Sequence, residues 1–81
     1  MIIEKVESSQ INQIAFDADS NRLFVEFKKG AVYQYQNVND ELFLGLKSAD
    51  SVGKFFNDNI RKKPLDFPFD RMDSKDSPFN N

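Results

Sequence analysis

Apolar and polar residues alternate through much of the first half of the chain. Leu23, Val25 and Phe27 are interleaved with Arg22, Glu26 and Lys28, the period of a strand with one buried face. Ile11, Ile14 and Phe16 mark an earlier strand over residues 10–17. Between the two, Asp17-Ala18-Asp19-Ser20-Asn21 is a turn cluster, rich in side chains that hydrogen-bond their own backbone. A third strand covers residues 31–37, and residues 2–7 form a short candidate edge strand.

The pattern also decides a register. A two-residue Lys29-Gly30 loop would place Tyr33 and Tyr35 on the face of Phe24 and Glu26. A three-residue Lys28-Lys29-Gly30 loop, a type I turn with Gly30 left-handed, shifts the pairing by one. Leu23, Val25, Phe27, Ala31, Tyr33 and Tyr35 then share one face, and Arg22, Glu26, Gln34 and Gln36 the other. A one-residue slip flips every side chain, so the register with the continuous apolar face is expected.

The period then changes to that of helices. Asn39 caps a helix whose first turn holds Asp40 and Glu41 and whose buried stripe is Leu42, Phe43 and Leu46, with acid placed where the helix dipole favours it. Residues 48–51 link it to a second helix, capped by Ser51 and striped by Val52, Phe55, Phe56 and Ile60. Arg61-Lys62-Lys63 closes that helix, where cations are favoured, and Pro64 ends it. The expected fold is α+β: a three- or four-stranded antiparallel meander packed against two C-terminal helices. Residues 1–63 form the domain. Residues 64–81, with Pro64, Pro68 and Pro78, read as an irregular tail.

Composition narrows the chemistry. Eighty-one residues make one small domain, and a chain of that size buries only roughly 60% of its unfolded surface. Nine Phe and two Tyr supply much of the core. The absence of Cys and His removes disulfides, the thiol nucleophile, and the commonest metal ligand and general base. The pairs Asp17/Asp19 and Asp50/Asp58 match no metal-loop pattern and read as turn and cap residues. A non-catalytic protein without a cofactor is expected. No apolar run is long enough to span a membrane and no export signal is evident, so a cytoplasmic location is expected.

The net charge of −2 conceals an uneven distribution. Residues 44–63 hold Lys47, Lys54, Arg61, Lys62 and Lys63 against Asp50 and Asp58, whereas residues 64–81 hold four Asp against Arg71 and Lys75. The basic set is the best nucleic-acid footprint in the chain, because a helix over residues 51–61 puts Lys54 and Arg61, seven apart, on nearly one face. The plainer reading is a solvated helix face, and the pI of 4.9 lies far from that of a dedicated binder. Ser51-Val52-Gly53-Lys54 offers a modest anion site at a helix start, or a capped helix whose Gly53 yields to a packed neighbour. A phosphorylated small molecule is a further candidate ligand there. Tyr33 and Tyr35 form either a stacking platform for bases or core packing under the helices, which the register favours. In the tail, Phe67, Phe69 and Phe79 are candidate anchors for a protein partner or a second copy of the chain.

Several of these segments occur together in a known pattern. Tyr33-Gln34-Tyr35 follows the Gly30 turn, and Ser48-Ala49-Asp50-Ser51-Val52-Gly53-Lys54-Phe55-Phe56-Asn57 runs on to Ile60-Arg61. Over roughly residues 8–63 the chain resembles the KTSC family, a short domain found at the C-terminus of some lysyl-tRNA synthetases and as a free-standing small protein of bacteria and phages. The resemblance implies RNA binding and covers Tyr33, Tyr35, Ser51, Gly53, Lys54 and Arg61 of the candidate site, to which the charge pattern adds Lys47, Lys62 and Lys63. The alternative is a protein-interaction or inhibitor module acting through its tail. The family pattern ends near Arg61, so the tail has no counterpart in it.

Overall fold

The computed structural model describes residues 1–79. The chain builds a single antiparallel sheet in sequence order: β1 (Ile2–Lys5), β2 (Ile11–Asp17), β3 (Arg22–Phe27), β4 (Val32–Tyr35) and β5 (Phe69–Met72). Between β4 and β5 lie α1 (Asp40–Ser48) and α2 (Val52–Phe56), the latter continuing as a π-helical turn over Asn57–Arg61. A 3-10 turn, Ser74–Asp76, follows β5.

The expected α+β architecture and its two helices are present, but the sheet has five strands rather than three or four. The added strand comes from the tail, which is therefore not irregular throughout. Lys63 turns the chain, its carbonyl accepting from the N–H groups of Asp66 and Phe67 at 3.1 and 3.0 Å. Pro68 then accepts from Gln36 N–H at 2.8 Å, and β5 pairs with β4 from Tyr35↔Phe69 to Val32↔Met72.

The β3–β4 hairpin has the register with the continuous apolar face. Leu23 faces Tyr35 and Val25 faces Tyr33. Phe27 N–H donates to Ala31 at 2.9 Å, which leaves Lys28-Lys29-Gly30 as the loop, and Gly30 takes φ +100°. Only glycine adopts that conformation without strain. On the opposite face Gln13 donates to Glu26 at 2.9 Å and Arg22 to Gln34 at 3.1 Å, polar pairs that flank the buried Ala15, Phe24 and Val32. Phe24 is buried there, with the Arg22 guanidinium 5.7 Å from its ring centroid.

Both expected caps are in place. Asn39 Oδ1 accepts from Leu42 N–H at 2.9 Å, and Ser51 Oγ from Lys54 N–H at 3.3 Å. Phe43, Leu46, Val52, Phe56 and Ile60 point onto Ile14, Phe16, Leu23, Val25 and Tyr35 of the sheet, with Phe55 and Phe67 against the rim of that cluster. The helix expected through residue 61 widens at Asn57. Asn59 Nδ2 donates to the Phe55 carbonyl at 3.0 Å, the acceptor an α-helix reserves for its own residue-59 N–H, and Lys62 N–H reaches back five residues to Asn57 at 3.1 Å. Such π turns recur at functional sites.

Phe56 is fully enclosed at the centre of this core. Phe56→Ala is expected to cost about 3–5 kcal/mol, much of the stability a domain of this size holds. Leu44→Ala, on the exposed side of α1, should stay within about 0.5 kcal/mol. Urea denaturation of the two variants measures both.

Candidate nucleic-acid interface

Two grooves share a wall made by Ser9, Gln10 and Arg61. The first, about 790 Å³, lies between the β1–β2 connection and the α2–π segment. Ser8 shapes it: its Oγ accepts from Gln10 N–H at 3.1 Å and Ile11 N–H at 3.3 Å, curling the connection towards α2. A Cβ built on Gly53 would meet that oxygen at 3.1 Å. The room that glycine frees is thus taken by Ser8, the packed-neighbour reading of Gly53. Asn57 Nδ2 donates to Gln10 Oε1 at 3.4 Å, while its buried Oδ1 has no hydrogen-bond partner among the described residues.

The charges of this groove are mixed. Lys54, Arg61 and Lys62 face Glu7, Asp50 and Asp58 along its walls. Lys62 Nζ pairs with Asp58 at 3.4 Å, both side chains being well exposed. An exposed pair of this kind contributes at most about 1 kcal/mol, so Lys62 can exchange it for another anion.

The second groove, about 710 Å³, is aromatic. Phe27, Tyr33, Tyr35 and Phe69 form its floor, and Lys28, Lys29 and Arg61 stand at its rim, with no carboxylate among the described residues that line it. The sheet positions these rings. Phe69 lies opposite Tyr35 in the ladder, with centroids 5.7 Å from Tyr35 and 6.0 Å from Tyr33. The Tyr33 ring meets Phe27 edge-on at 5.8 Å.

The structure brings most of the sequence-derived residues to these two grooves and leaves some elsewhere. Ser51, Gly53, Lys54, Arg61 and Lys62 line the first; Tyr33, Tyr35, Arg61 and Phe69 line the second. Tyr35 is a core residue, only 4% exposed, and Tyr33 is half-buried, so packing and groove-lining are combined in one pair of side chains. Lys47 lies apart, 3.9 Å from Glu4 and 5.9 Å from the Phe43 ring centroid. Lys63 serves the turn into the tail. Phe67 packs against the protein's own core, and Phe79 is half-buried with its N–H on Ser77 Oγ at 3.1 Å. Asp17 accepts from Asp19 N–H at 3.1 Å, as a turn residue does. Sequence reasoning missed Phe27, Lys28 and Lys29 as groove walls. The signal was available, because the three-residue loop that aligns Phe27 with Tyr33 also sets two lysines at the end of that face.

Comparison with known proteins identifies relatives. The family model of the KTSC domain matches residues 7–63. An uncharacterized protein of Stutzerimonas stutzeri is 35% identical over 68 residues, 84% of this chain and 93% of that one. A lysine–tRNA ligase of Nostoc punctiforme is 34% identical over 68 residues, which is 84% of this chain but 12% of the ligase. The crystal structure of a KTSC domain protein from Yersinia pestis superimposes with a TM-score of 0.79 at 32% identity, covering 89% of this chain and 97% of that one.

Burial pushes the Tyr35 phenol up to about 12, with the nearby Arg61 charge pulling the other way. Above pH 10 an unfolded chain loses this proton while the folded one retains it, so stability falls as pH rises from 10 to 12. The expected loss at pH 12 is about 2 kcal/mol relative to pH 9. Tyr35→Phe should show a correspondingly shallower decline, measured by urea titrations of both proteins at the two pH values.

Proposed function

Because the chain belongs to the KTSC family, we propose that it is a non-catalytic nucleic-acid-binding module whose ligand is RNA. The observation that carries this reading is the meeting of the two grooves at Arg61. Among the described residues, five cations, Lys28, Lys29, Lys54, Arg61 and Lys62, stand around them against three carboxylates, so the local sign is opposite to that of the whole chain. Clefts with such an excess concentrate anions, whatever the net charge. The lysine–tRNA ligase among the relatives acts on an RNA by its name, and that association supports RNA over DNA. Lys54, Arg61 and Lys62 would contact phosphates, with Tyr33 and Tyr35 alongside.

A second reading has one observation behind it. Leu65 is 94% exposed and Phe69 49% exposed on neighbouring parts of the tail, an apolar surface on which a protein partner or a second copy of the chain would dock. It is the weaker of the two, since Phe67 is already held by the protein's own core.

Three phosphate contacts on a single strand give a slope of about −2 in log K against log salt. Raising KCl from 50 to 200 mM is then expected to weaken binding of a fluorescent twelve-residue oligo(U) roughly 20-fold. The double variant Lys54→Glu/Arg61→Glu should abolish that binding and leave the urea midpoint close to wild type, since exposed charges add little stability. Fluorescence anisotropy decides: unchanged oligo(U) affinity in the double variant, or affinity insensitive to salt, overturns the phosphate assignment.

A further inference from the structure

The aromatic groove has features that phosphate binding alone does not call for. Its floor is four rings, one of which, Phe69, is about half exposed. Its rim is cationic, with no acid among the described residues that line it. The ligand that matches both properties is an anion carrying a flat aromatic part. The volume of about 710 Å³ falls within the range of roughly 300–1,000 Å³ typical of small-ligand pockets. The groove also leads onward. At its Ser9–Gln10–Arg61 edge it joins the polar groove of Lys54 and Lys62.

We infer that the aromatic groove receives unstacked bases of a single strand, while the phosphates on either side of them lie across Arg61 and along Lys54. This inference rests on the RNA reading and deepens it: the ligand is single-stranded, and the protein grips base faces as well as backbone. A duplex keeps its bases stacked and offers the groove no ring to cover, whereas a single strand splays bases onto aromatic side chains at little cost. The strand that supplies Phe69 lies beyond residues 7–63. The stacking surface is therefore completed by a part of the chain outside the family-matched region, and Phe69 is the residue expected to set base contact.

Phe69→Ala tests this, because that side chain is half exposed and stands at the outer strand. The probes are fluorescent twelve-residue oligo(U), an abasic oligomer of the same length, and a twelve-base-pair RNA duplex. Loss of stacking by one base corresponds to a drop of about five- to hundredfold. The expected result is that Phe69→Ala weakens oligo(U) by that factor with an unchanged salt slope, and that the abasic oligomer and the duplex bind wild type at least tenfold more weakly than oligo(U). A second readout needs no label. The chain has two Tyr and no Trp, and both Tyr line this groove, so oligo(U) should quench the intrinsic tyrosine emission and the abasic oligomer should not. If Phe69→Ala binds oligo(U) as wild type does, or the abasic oligomer binds equally well, the base-binding inference is overturned and the phosphate reading stands. If none of the three probes binds even at 50 mM KCl, both are overturned.

Discussion

Everything in this fold is hung on the edge-on packing of Phe56 against two strands at once. Its ring meets Tyr35 of β4 at 5.1 Å and 80°, and Phe27 of β3 at 5.8 Å and 62°. Aromatic edges prefer faces, so such contacts fix angle as well as distance. Phe56 thereby sets the height of α2 over the sheet. The π turn that follows carries the chain out to Arg61, above the open side of the same rings. The aromatic groove is the remainder: Phe27 and Tyr35 are core on the side of Phe56 and groove floor on the other. Core and site cannot be varied independently here, because they are two sides of the same aromatic residues.

Those parts of the fold that depend on neighbouring residues were legible in the sequence. A one-residue slip would have sent Tyr33 and Tyr35 to the face of Arg22 and Glu26, so the register of β3 and β4 followed from matching Leu23, Val25 and Phe27 with Ala31, Tyr33 and Tyr35. Asn39 and Ser51 announced their helices because a cap acts within three residues. What failed was context. Phe69-Asp70-Arg71-Met72 has two charges in four residues and prolines on either flank, and it becomes a strand because the edge of β4 offers unpaired backbone groups. The π turn depends on one side chain, Asn59, competing for a backbone carbonyl, which no period reveals. The contact between the helices is similar. A Cβ at Gly45 would lie 3.0 Å from the Phe55 ring, so α1 and α2 approach through a residue that the sequence presents only as a weak helix former.

The candidate site was legible in kind and blurred in membership. Five cations within residues 44–63 read as one patch, yet Lys47 points to Glu4 and Lys63 shapes a turn. Closeness along the chain is not closeness in space once a helix turns away from its neighbours. The converse error concerned Lys28 and Lys29, far from the basic segment in sequence and at the rim of the aromatic groove in the fold. The Tyr pair posed a choice between core and platform that the structure removes, since Tyr35 is enclosed and still forms part of a groove wall.

The acidic tail raises a real objection to phosphate binding, and the strand geometry answers part of it. Carboxylates beside a cationic groove would oppose an anion at short range, and solvent ions screen such effects only beyond about 8 Å. Along β5, however, successive side chains alternate between faces. Phe69 and Arg71 stand opposite Tyr35 and Tyr33, on the helix side, while Asp70 stands opposite Gln34, on the face where Arg22 lies. The tail therefore lends the groove an aromatic ring and turns the acid of that strand to the other side of the sheet. Of the described tail residues, Pro64 and Phe69 are the ones that line the aromatic groove. A net negative charge then suppresses loose adhesion to polyanions over most of the surface, and the field inside the cleft remains set by the cations that stand there. On that arrangement the affinity for RNA proposed above would come from a few well-placed contacts rather than from bulk charge, which fits a chain with a pI of 4.9 better than a basic stripe would.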